Sequence, residues 1–445
     1  MKTIGRIALL AALGLVAHGA QASGQDTTPK TAACPAPVPA DARCFSGADG
    51  QGAFYWIAIP KDWQRGVLVM HAHGGPETGP PKAERSEQDL KRWAITVEAG
   101  HAWAGSTYRR GGYGVTMAAE DTERLRQLFV RHFGAPRLTL LHGQSYGGAV
   151  ASKAAELYAS GPYGGVLLTN GVLGGGGSAY EFRLDLRVVY QAVCRNHPRP
   201  DEAQYPLWMG LPRDARLTRQ ELAERVKACT GVGLPREQRS AQQNARLAAI
   251  LGAVKLQERS LLGHLNWATW LFQDLVQERL DGRNPFGNMG VHYPGTVNGA
   301  PLDAQVARYA ADPQAQGQLA ADSRPTGRTR LPTLNLHAID DPTAFVELES
   351  VYRAQREAAG TADQLVQAFS AEREHSYLSD TEYAAFFAAL IEWVDTGRKP
   401  STAELAQRCM ALLARFNADG KNGCHLLPDW QAPQLESRVP SRLPH

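Results

Sequence analysis

The sequence contains no run of about 18 unbroken apolar residues, although 43% of its 445 residues are hydrophobic. A helix needs roughly that length to cross a bilayer, so we expect no membrane span. The sequence also lacks a basic run or a stripe of arginines and aromatics, the patterns that indicate nucleic-acid binding. The formal net charge is only +3. Charge therefore gives no reason to expect a nucleic acid as partner.

Motifs that hold metals and nucleotides are also missing. No H-E-x-x-H, C-x-x-C or EF-hand pattern occurs. Glycine-rich nucleotide fingerprints are not found in the strand–helix setting that they require. We therefore expect neither a metal nor a nucleotide cofactor. The composition leaves the oligomeric state open.

The first 22 residues have the pattern of a secretory signal peptide. Lys2 and Arg6 precede an apolar run over residues 7–17, and small residues at Ala20 and Ala22 fit a cleavage site after Ala22. Loss of Lys2 and Arg6 lowers the formal net charge from +3 to +1. We expect a chain exported to the periplasm or the medium.

Cysteine is scarce, and all six cysteines follow residue 22. An even number in an exported chain favours disulfides. Pairing between sequence neighbours is the most economical arrangement. It joins the pairs Cys34 with Cys44, Cys194 with Cys229, and Cys409 with Cys424.

Strand and helix signals alternate over two stretches of the chain. β-rich runs between residues 54 and 169 alternate with helix-prone segments, and the alternation resumes at residue 331. This pattern predicts an α/β fold with a mostly parallel sheet and helices on both faces. Between the two stretches lie a four-glycine run over residues 174–177, interpreted as a hinge or linker, and a mainly helical block.

These shifts divide the chain into six expected segments. After the signal peptide (1–22) comes an N-terminal arm, the first part of which is expected to be loose. The helical block is interpreted as a lid inserted into the α/β core. The segments after the signal peptide are the arm (23–50), the first part of the core (51–175), the lid (176–328), the second part of the core (329–400) and a C-terminal extension (401–445).

A G-x-S-x-G-G motif spans residues 143–148, with Ser145 at its centre. An apolar strand precedes it and a helix-prone segment follows, which is the setting of a nucleophile elbow. Glycine suits this turn because side chains next to the strained serine would collide with the flanking strand and helix. On this motif and its setting, residues 54–393 resemble the α/β-hydrolase superfamily. The alternative is a glycine-rich turn without chemistry.

The resemblance implies an oxyanion hole made of two backbone N–H groups. One belongs to the residue after the nucleophile, Tyr146. The other belongs to the loop after an early strand, where Gly75 is the first candidate and Gly74 the second. Candidate substrate contacts near these loops are His73, Gly74, Gln144 and Arg109.

The resemblance also implies the chain order serine, acid, histidine. Asp341 precedes a proline and matches the acid position better, but the adjacent Asp340 remains an alternative. His375 follows the last expected strand and is the candidate base. Ala338 and Glu374 stand where the superfamily usually has glycine.

The sequence therefore predicts a secreted serine hydrolase that cleaves small-molecule or polymeric carboxylic esters. His375 would take the proton of Ser145, and Asp341 would orient His375. The first alternative is a serine exopeptidase or amidase, because proline-releasing aminopeptidases share this layout with a cap inserted before the acid. The second is a binding protein that retains the fold without catalysis.

Overall fold

The structure is a computed structural model, and it describes residues 27–417, 420–440 and 442. The expected signal peptide lies outside the described residues. One mixed sheet contains nine strands in the order β1-β2-β3-β5-β4-β6-β7-β10-β11, and β8 pairs with β9 in a separate hairpin. The strands of the described residues are β1 (Lys30–Ala32), β2 (Arg43–Ala48), β3 (Phe54–Ile59), β4 (Val67–Ala72), β5 (Ala102–Ser106), β6 (Leu138–Gln144), β7 (Gly165–Thr169), β8 (Thr296–Val297), β9 (Ala300–Pro301), β10 (Thr333–Ala338) and β11 (Leu365–Ser370).

Helices connect most of these strands. Two π-helical segments, Trp267–Leu271 and Leu275–Arg279, flank α10. None of the helices in the described ranges is long and apolar enough to cross a membrane. The α-helices of these ranges are α1 (Ala83–Arg92), α2 (Ile95–Glu98), α3 (Val115–Phe133), α4 (Tyr146–Leu157), α5 (Gly175–Tyr180), α6 (Phe182–Cys194), α7 (Arg219–Thr230), α8 (Ala241–Val254), α9 (Leu261–Asn266), α10 (Phe272–Asp274), α11 (Pro313–Ser323), α12 (Leu348–Ala358), α13 (Asp380–Thr396) and α14 (Thr402–Phe416).

The sheet is antiparallel at one edge and parallel across the rest. The pairs β1–β2, β2–β3 and β3–β5 are antiparallel, and the remaining pairs from β5 to β11 are parallel. Along β4, Leu68 and Met70 belong to one apolar cluster, while Val67 and Val69 belong to another. Because successive strand residues point to opposite faces, the two clusters lie on the two sides of the sheet. The expected α/β class with a mostly parallel sheet is confirmed.

The N-terminal arm differs from the loose segment expected. β1 pairs with β2, and β2 pairs along its whole length with β3, so the arm extends the sheet. The Cys34–Cys44 disulfide joins the segment just after β1 to β2. The predicted pairing of Cys194 with Cys229 and of Cys409 with Cys424 is confirmed as well.

The four-glycine run was expected to be a hinge or linker, and the structure shows a packed helix start instead. Gly174, Gly175 and Gly176 are buried where the chain enters α5. A Cβ atom on Gly176 would lie 2.4 Å from the Leu319 side chain, and one on Gly175 would lie 2.8 Å from the Arg324 backbone. Glycine is therefore required at the start of α5, because helix α11 and the segment after it pack directly against the backbone there.

Helices α5 to α11 lie between β7 and β10, and we call this part the helical insertion. Residues 435–440 and 442, which we call the C-terminal strap, contact both the helical insertion and the segment before α12. In the strap, Arg438 pairs with Glu347 at 2.9 Å. Arg442 pairs with Glu181 at 2.7 Å and with Asp185 at 2.8 Å, both in the helical insertion. The precise division of the chain into domains stays a prediction.

The Cys194–Cys229 disulfide ties α6 to α7 across 35 residues. Replacing both cysteines by serine removes a restraint on the unfolded chain, worth about 3–4 kcal/mol for a loop of this length. We expect lower stability in denaturant unfolding and faster proteolysis between residues 195 and 228. The paired replacement of Cys409 and Cys424 is the control, because it should leave that cleavage pattern unchanged. Equal cleavage in both variants would contradict this role.

Candidate active site

Ser145 lies in a sharp turn between β6 and α4. Its backbone has φ 57° and ψ −123°, a conformation that non-glycine residues rarely adopt. The turn is fixed by its own peptide groups, because the Ser145 N–H donates to the Thr169 carbonyl at 3.0 Å. The Ser145 carbonyl accepts from the N–H groups of Gly148 and Val172, each at 2.9 Å. These bonds hold the strained residue in place.

Two glycines allow the close approach that this turn requires. A Cβ atom on Gly147 would lie 1.9 Å from the Ala72 carbonyl oxygen, and one on Gly143 would lie 2.1 Å from the Gly147 carbonyl oxygen. Backbone atoms cannot yield as a flexible side chain can. The start of α4 is therefore in direct backbone contact with the ends of β4 and β6.

A continuous chain of hydrogen bonds runs from Ser145 to Asp341. The Ser145 hydroxyl and His375 Nε2 are 2.8 Å apart, and His375 Nδ1 lies 2.7 Å from Asp341 Oδ2. The other carboxylate oxygen accepts from the N–H groups of Thr343 and Ala344 at 2.7 and 3.0 Å. Burial opposes ionisation of Asp341, but His375 and a second histidine hold its pKa well below the ordinary range.

The two adjacent aspartates face different surroundings. Asp341 is buried and bonds His375, whereas the Asp340 side chain is 36% exposed. Asp340 pairs with Arg373 at 3.0 Å and Arg259 at 3.3 Å, and it accepts from Gln257. The structure thus brings Asp341, and not Asp340, into the hydrogen-bond chain.

A second histidine, His337, also lies close to the Asp341 carboxylate. His337 lies on β10 and is fully buried. Its Nδ1 lies 2.9 Å from a Glu349 carboxylate oxygen. Its Nε2 lies 3.0 Å from the Ala344 carbonyl oxygen and 3.6 Å from Asp341 Oδ2. Both ring nitrogens face acceptors, and the two nearby carboxylates favour the protonated ring. Burial lowers the pKa of His337, but Asp341 and Glu349 outweigh it and raise that pKa to about 10. His337 is therefore a buried cation between two carboxylates.

The loop that carries His375 is held by amide side chains. Gln144 Nε2 and Asn170 Nδ2 both donate to the His375 carbonyl, at 3.1 and 2.6 Å. Asn170 Oδ1 also accepts from the Ala338 N–H at 2.8 Å. Gln144 was a candidate substrate contact, and here it positions the histidine loop. Sequence reasoning missed Asn170, although its place at the end of a strand beside Gly171 offered a signal.

The loop after β4 passes directly over the serine. A Cβ atom on Gly74 would lie 3.0 Å from the Ser145 Cβ atom, so this position has room only for glycine. Gly75 has φ +72°, in the left-handed region that favours glycine. Among the described residues, no backbone carbonyl accepts the N–H of either Gly75 or Tyr146. Both N–H groups are therefore free of internal backbone bonds beside Ser145.

Arg85 and His73 brace this loop from the other side. Arg85 Nη2 and His73 Nδ1 donate to the Gly74 carbonyl at 2.7 and 2.8 Å. Burial lowers the pKa of His73 to about 4, and its ring stacks on Tyr108 at 4.1 Å. His73 is thus a neutral support for the loop. Sequence reasoning singled out His73 but missed Arg85.

Arg109 is engaged away from this group. Its guanidinium pairs with Asp121 at 2.9 Å and Glu120 at 2.6 Å, and it makes no bond to the residues around Ser145. The loop after β4 is bordered by the helical insertion instead. A cavity of about 140 Å³ lies between the loop after β4 and the helical insertion. It is lined by Gly75, Pro76, Glu77, Thr78, Arg219, Asn266, Trp267 and Leu271.

The mostly parallel sheet, the strained serine between strand and helix, and the acid and histidine after β10 and β11 define an α/β-hydrolase fold. In this fold the carboxyl ends of neighbouring parallel strands bring sequence-distant loops together. Ser145 and His375, for example, are 230 residues apart in sequence. The protein therefore has hydrogen-bonded serine, histidine and aspartate side chains at the edge where the carboxyl ends of the parallel strands meet.

Neither a family model nor a curated protein matches the sequence. Solved structures that match include an esterase from Aspergillus oryzae, with 11% identity, TM-score 0.47 and coverage of 84% of this chain and 86% of that one. Tannin acyl hydrolase from Aspergillus niger matches with 11% identity, TM-score 0.46 and coverage of 84% and 83%. Pyrococcus horikoshii acylaminoacyl peptidase matches with 13% identity, TM-score 0.33 and coverage of 73% and 35%. At these values the matches do not specify an activity.

The buried His337 cation gives a testable pH dependence. A folded-state pKa of about 10, above the ordinary value near 6.5, means that its stabilisation is complete below about pH 6.5 and is lost as the pH rises through about 10. We expect His337→Asn to be less stable than the wild type at pH 7 and to lose less stability between pH 7 and about pH 10. Denaturant unfolding at both pH values measures this. The exposed His132, replaced by asparagine, is the matched control. An equal decline in the wild type and His337→Asn would show that His337 is not charged.

Proposed function

We propose that this protein is a serine hydrolase that cleaves carboxylic esters through an acyl-enzyme. Ser145 is the nucleophile, His375 the general base and Asp341 the residue that orients the histidine. The observation that carries the proposal is the unbroken hydrogen-bond chain, with 2.8 Å from serine to histidine and 2.7 Å from histidine to aspartate. A serine activated in this way attacks a carbonyl carbon.

The reaction proceeds in two acyl-transfer steps. His375 Nε2 takes the Ser145 proton as Oγ bonds to the ester carbonyl carbon, and the carbonyl oxygen becomes an oxyanion. The imidazolium then returns the proton to the leaving alkoxide, which departs as an alcohol. Water repeats the sequence on the acyl-enzyme and releases the acid. The ionised Asp341 stabilises the imidazolium in both steps.

The N–H groups of Tyr146 and Gly75 are the proposed oxyanion donors, with Gly74 as the alternative to Gly75. The free N–H groups of Tyr146 and Gly75 beside Ser145 support this assignment. Donors fixed in place before the reaction stabilise a developing charge by about 3–4 kcal/mol each. Arg85 and His73 would serve as positioning residues, because they hold the carbonyl of the same loop.

A serine exopeptidase or amidase is the second candidate. The observation that favours it is the helical insertion between β7 and β10, ahead of Asp341. Proline-releasing aminopeptidases have a cap in this place. The same nucleophile and base serve esters and amides, so geometry at Ser145 does not separate the two.

We further propose that the protein works outside the cytoplasm. Three disulfides between sequence neighbours support this location, because such bonds persist in oxidising compartments. The signal-peptide pattern of the first 22 residues supports it as well.

The adjacent aspartates offer a matched test of the acid. We expect Asp341→Asn to lower kcat by about 10⁴, because the histidine then loses its orienting carboxylate and correct tautomer. Asp340→Asn should stay within roughly threefold of the wild type, since Asp340 bonds only surface partners. Steady-state kinetics with p-nitrophenyl esters measures both. Similar losses of kcat in the two variants would contradict the assignment of Asp341. A larger loss in Asp340→Asn would assign the role to Asp340 instead.

Labelling with a fluorophosphonate probe tests the nucleophile directly. Peptide mapping should place the label on Ser145, and Ser145→Ala should abolish both labelling and hydrolysis. Rates on p-nitrophenyl esters and aminoacyl nitroanilides then separate an esterase from a peptidase. A folded wild type that is not labelled would contradict the proposed function.

A further inference from the structure

Arg183, the second residue of α6, is a buried cation without an anionic partner. As a whole residue, Arg183 is only 3% exposed. Nε donates to His264 Nδ1 at 3.3 Å and Nη1 donates to the Ala179 carbonyl at 3.1 Å. No aspartate or glutamate in the described ranges forms an ion pair with it. A guanidinium has five N–H donors, so three of them, including both on Nη2, make no bond here.

Aromatic rings surround this guanidinium. Its central carbon lies 4.4 Å from the Tyr180 ring, 4.8 Å from the Phe182 ring and 5.2 Å from the Trp267 ring. The rings favour a cation but cannot accept three N–H bonds in the manner of a carboxylate. Burial lowers the pKa of Arg183 to about 10, so the side chain is still charged at neutral pH.

The neighbouring histidine cannot serve as a counterion. His264 Nδ1 accepts from Arg183, so its Nε2 carries the proton and donates to the Pro342 carbonyl at 3.0 Å. Burial and the charge of Arg183 lower the pKa of His264 well below its ordinary value. His264 is therefore neutral, and it links Arg183 to the residue that follows Asp341.

The position of Arg183 is next to the proposed active site. Trp267, which packs on its guanidinium, lines the cavity that also borders Gly75. On the other side, Tyr180 contacts Tyr113 at 5.1 Å, and Tyr113 contacts Tyr146 at 5.5 Å. Arg183 is thus connected through packed rings to Tyr146, and through Trp267 it adjoins the cavity beside Gly75.

Arg187 shows that burial alone does not leave a terminal guanidinium nitrogen without a hydrogen-bond acceptor, although Arg187 Nε is itself buried without one. It lies one turn further along α6, is 1% exposed and also lacks an acidic partner. Its terminal nitrogens nevertheless lie within 3.5 Å of the Thr269 hydroxyl, the Tyr205 hydroxyl and the Gly210 carbonyl. Arg183 Nη2 has no such partner, and it is not among the fully enclosed unbonded atoms, so it retains contact with open space.

We propose that Arg183 binds a carboxylate on the substrate, so that the hydrolase acts on esters that also bear a free carboxylate. The unused N–H groups on Nη1 and Nη2 match the two oxygens of a carboxylate, and the low-polarity rings would strengthen the pair. Binding would compensate the desolvated charge that the free protein carries. This inference rests on the proposed function, because it assigns the substrate class of the same site.

The test compares esters that differ only in a carboxylate. Monomethyl glutarate and monomethyl adipate are paired with methyl pentanoate and methyl hexanoate, and O-acetylglycolate with ethyl acetate, so that both sides of the ester are sampled. We expect the wild type to prefer a carboxylated member by roughly 10–100-fold in kcat/KM. Arg183→Met should reduce that preference to about onefold, because kcat/KM falls far more on the carboxylated esters than on their neutral partners. Arg187→Met, the matched control, should keep the preference.

Two further readouts separate a failed inference from a misfolded variant. Arg183→Lys keeps the charge but loses the planar fork, and it should retain only part of the preference. Thermal unfolding and fluorophosphonate labelling at Ser145 establish that each variant is folded with an intact nucleophile. A wild type without preference, or equal losses on charged and neutral esters in a labelled Arg183→Met, would overturn the inference.

Ligand protection extends the test to a protein that cleaves none of these esters. Glutarate should slow labelling of wild-type Ser145 at lower concentrations than its uncharged diamide, glutaramide, and Arg183→Met should abolish the difference. If Ser145 is not labelled at all, the proposed function fails, and calorimetric titration with glutarate decides the binding site separately. Glutarate binding that is equal in the wild type and Arg183→Met, or absent from both, would overturn the carboxylate site.

Discussion

The backbone contact between the start of α4 and the ends of β4 and β6 is the constraint on which the rest of the site depends. Gly147 and Gly143 leave no space for a side chain, and this lets the strained Ser145 project from the edge of the sheet. The same closeness brings the loop after β4 over the serine at Gly74. Without that contact, Ser145 would not lie in this turn beside the loop that carries Gly74 and Gly75.

Electrostatic order extends inward from this edge. Glu349 in α12, the His337 cation on β10 and Asp341 after β10 alternate in sign, and His375 links Asp341 to the serine. A carboxylate in an apolar interior would normally take up a proton. Here His375 and the His337 cation hold the pKa of Asp341 low, and two backbone N–H groups also bond its carboxylate. The acid thus depends on a residue that does not touch the serine.

What the sequence predicts correctly is what nearby residues determine. Strand–helix alternation indicated the α/β class, and spacing along the chain indicated the three disulfides. What it missed depends on distant partners. The glycine run packs against α11, about 140 residues later, and Asn170 bonds a carbonyl 205 residues away. Nothing local in a buried arginine such as Arg183 shows that its counterion is missing.

The C-terminal strap also has a consequence for how the chain is assembled during translation. Arg442 leaves the ribosome long after Asp185, its ion-pair partner 257 residues earlier. Chains generally fold from the N-terminus as they emerge, at roughly 5–20 residues per second. When the chain folds in this order, the helical insertion forms before Arg442 is present to pair with Glu181 and Asp185. A chain at that stage, during synthesis or export, has two acidic side chains one helical turn apart without the cation that pairs with both, and it is therefore a vulnerable intermediate.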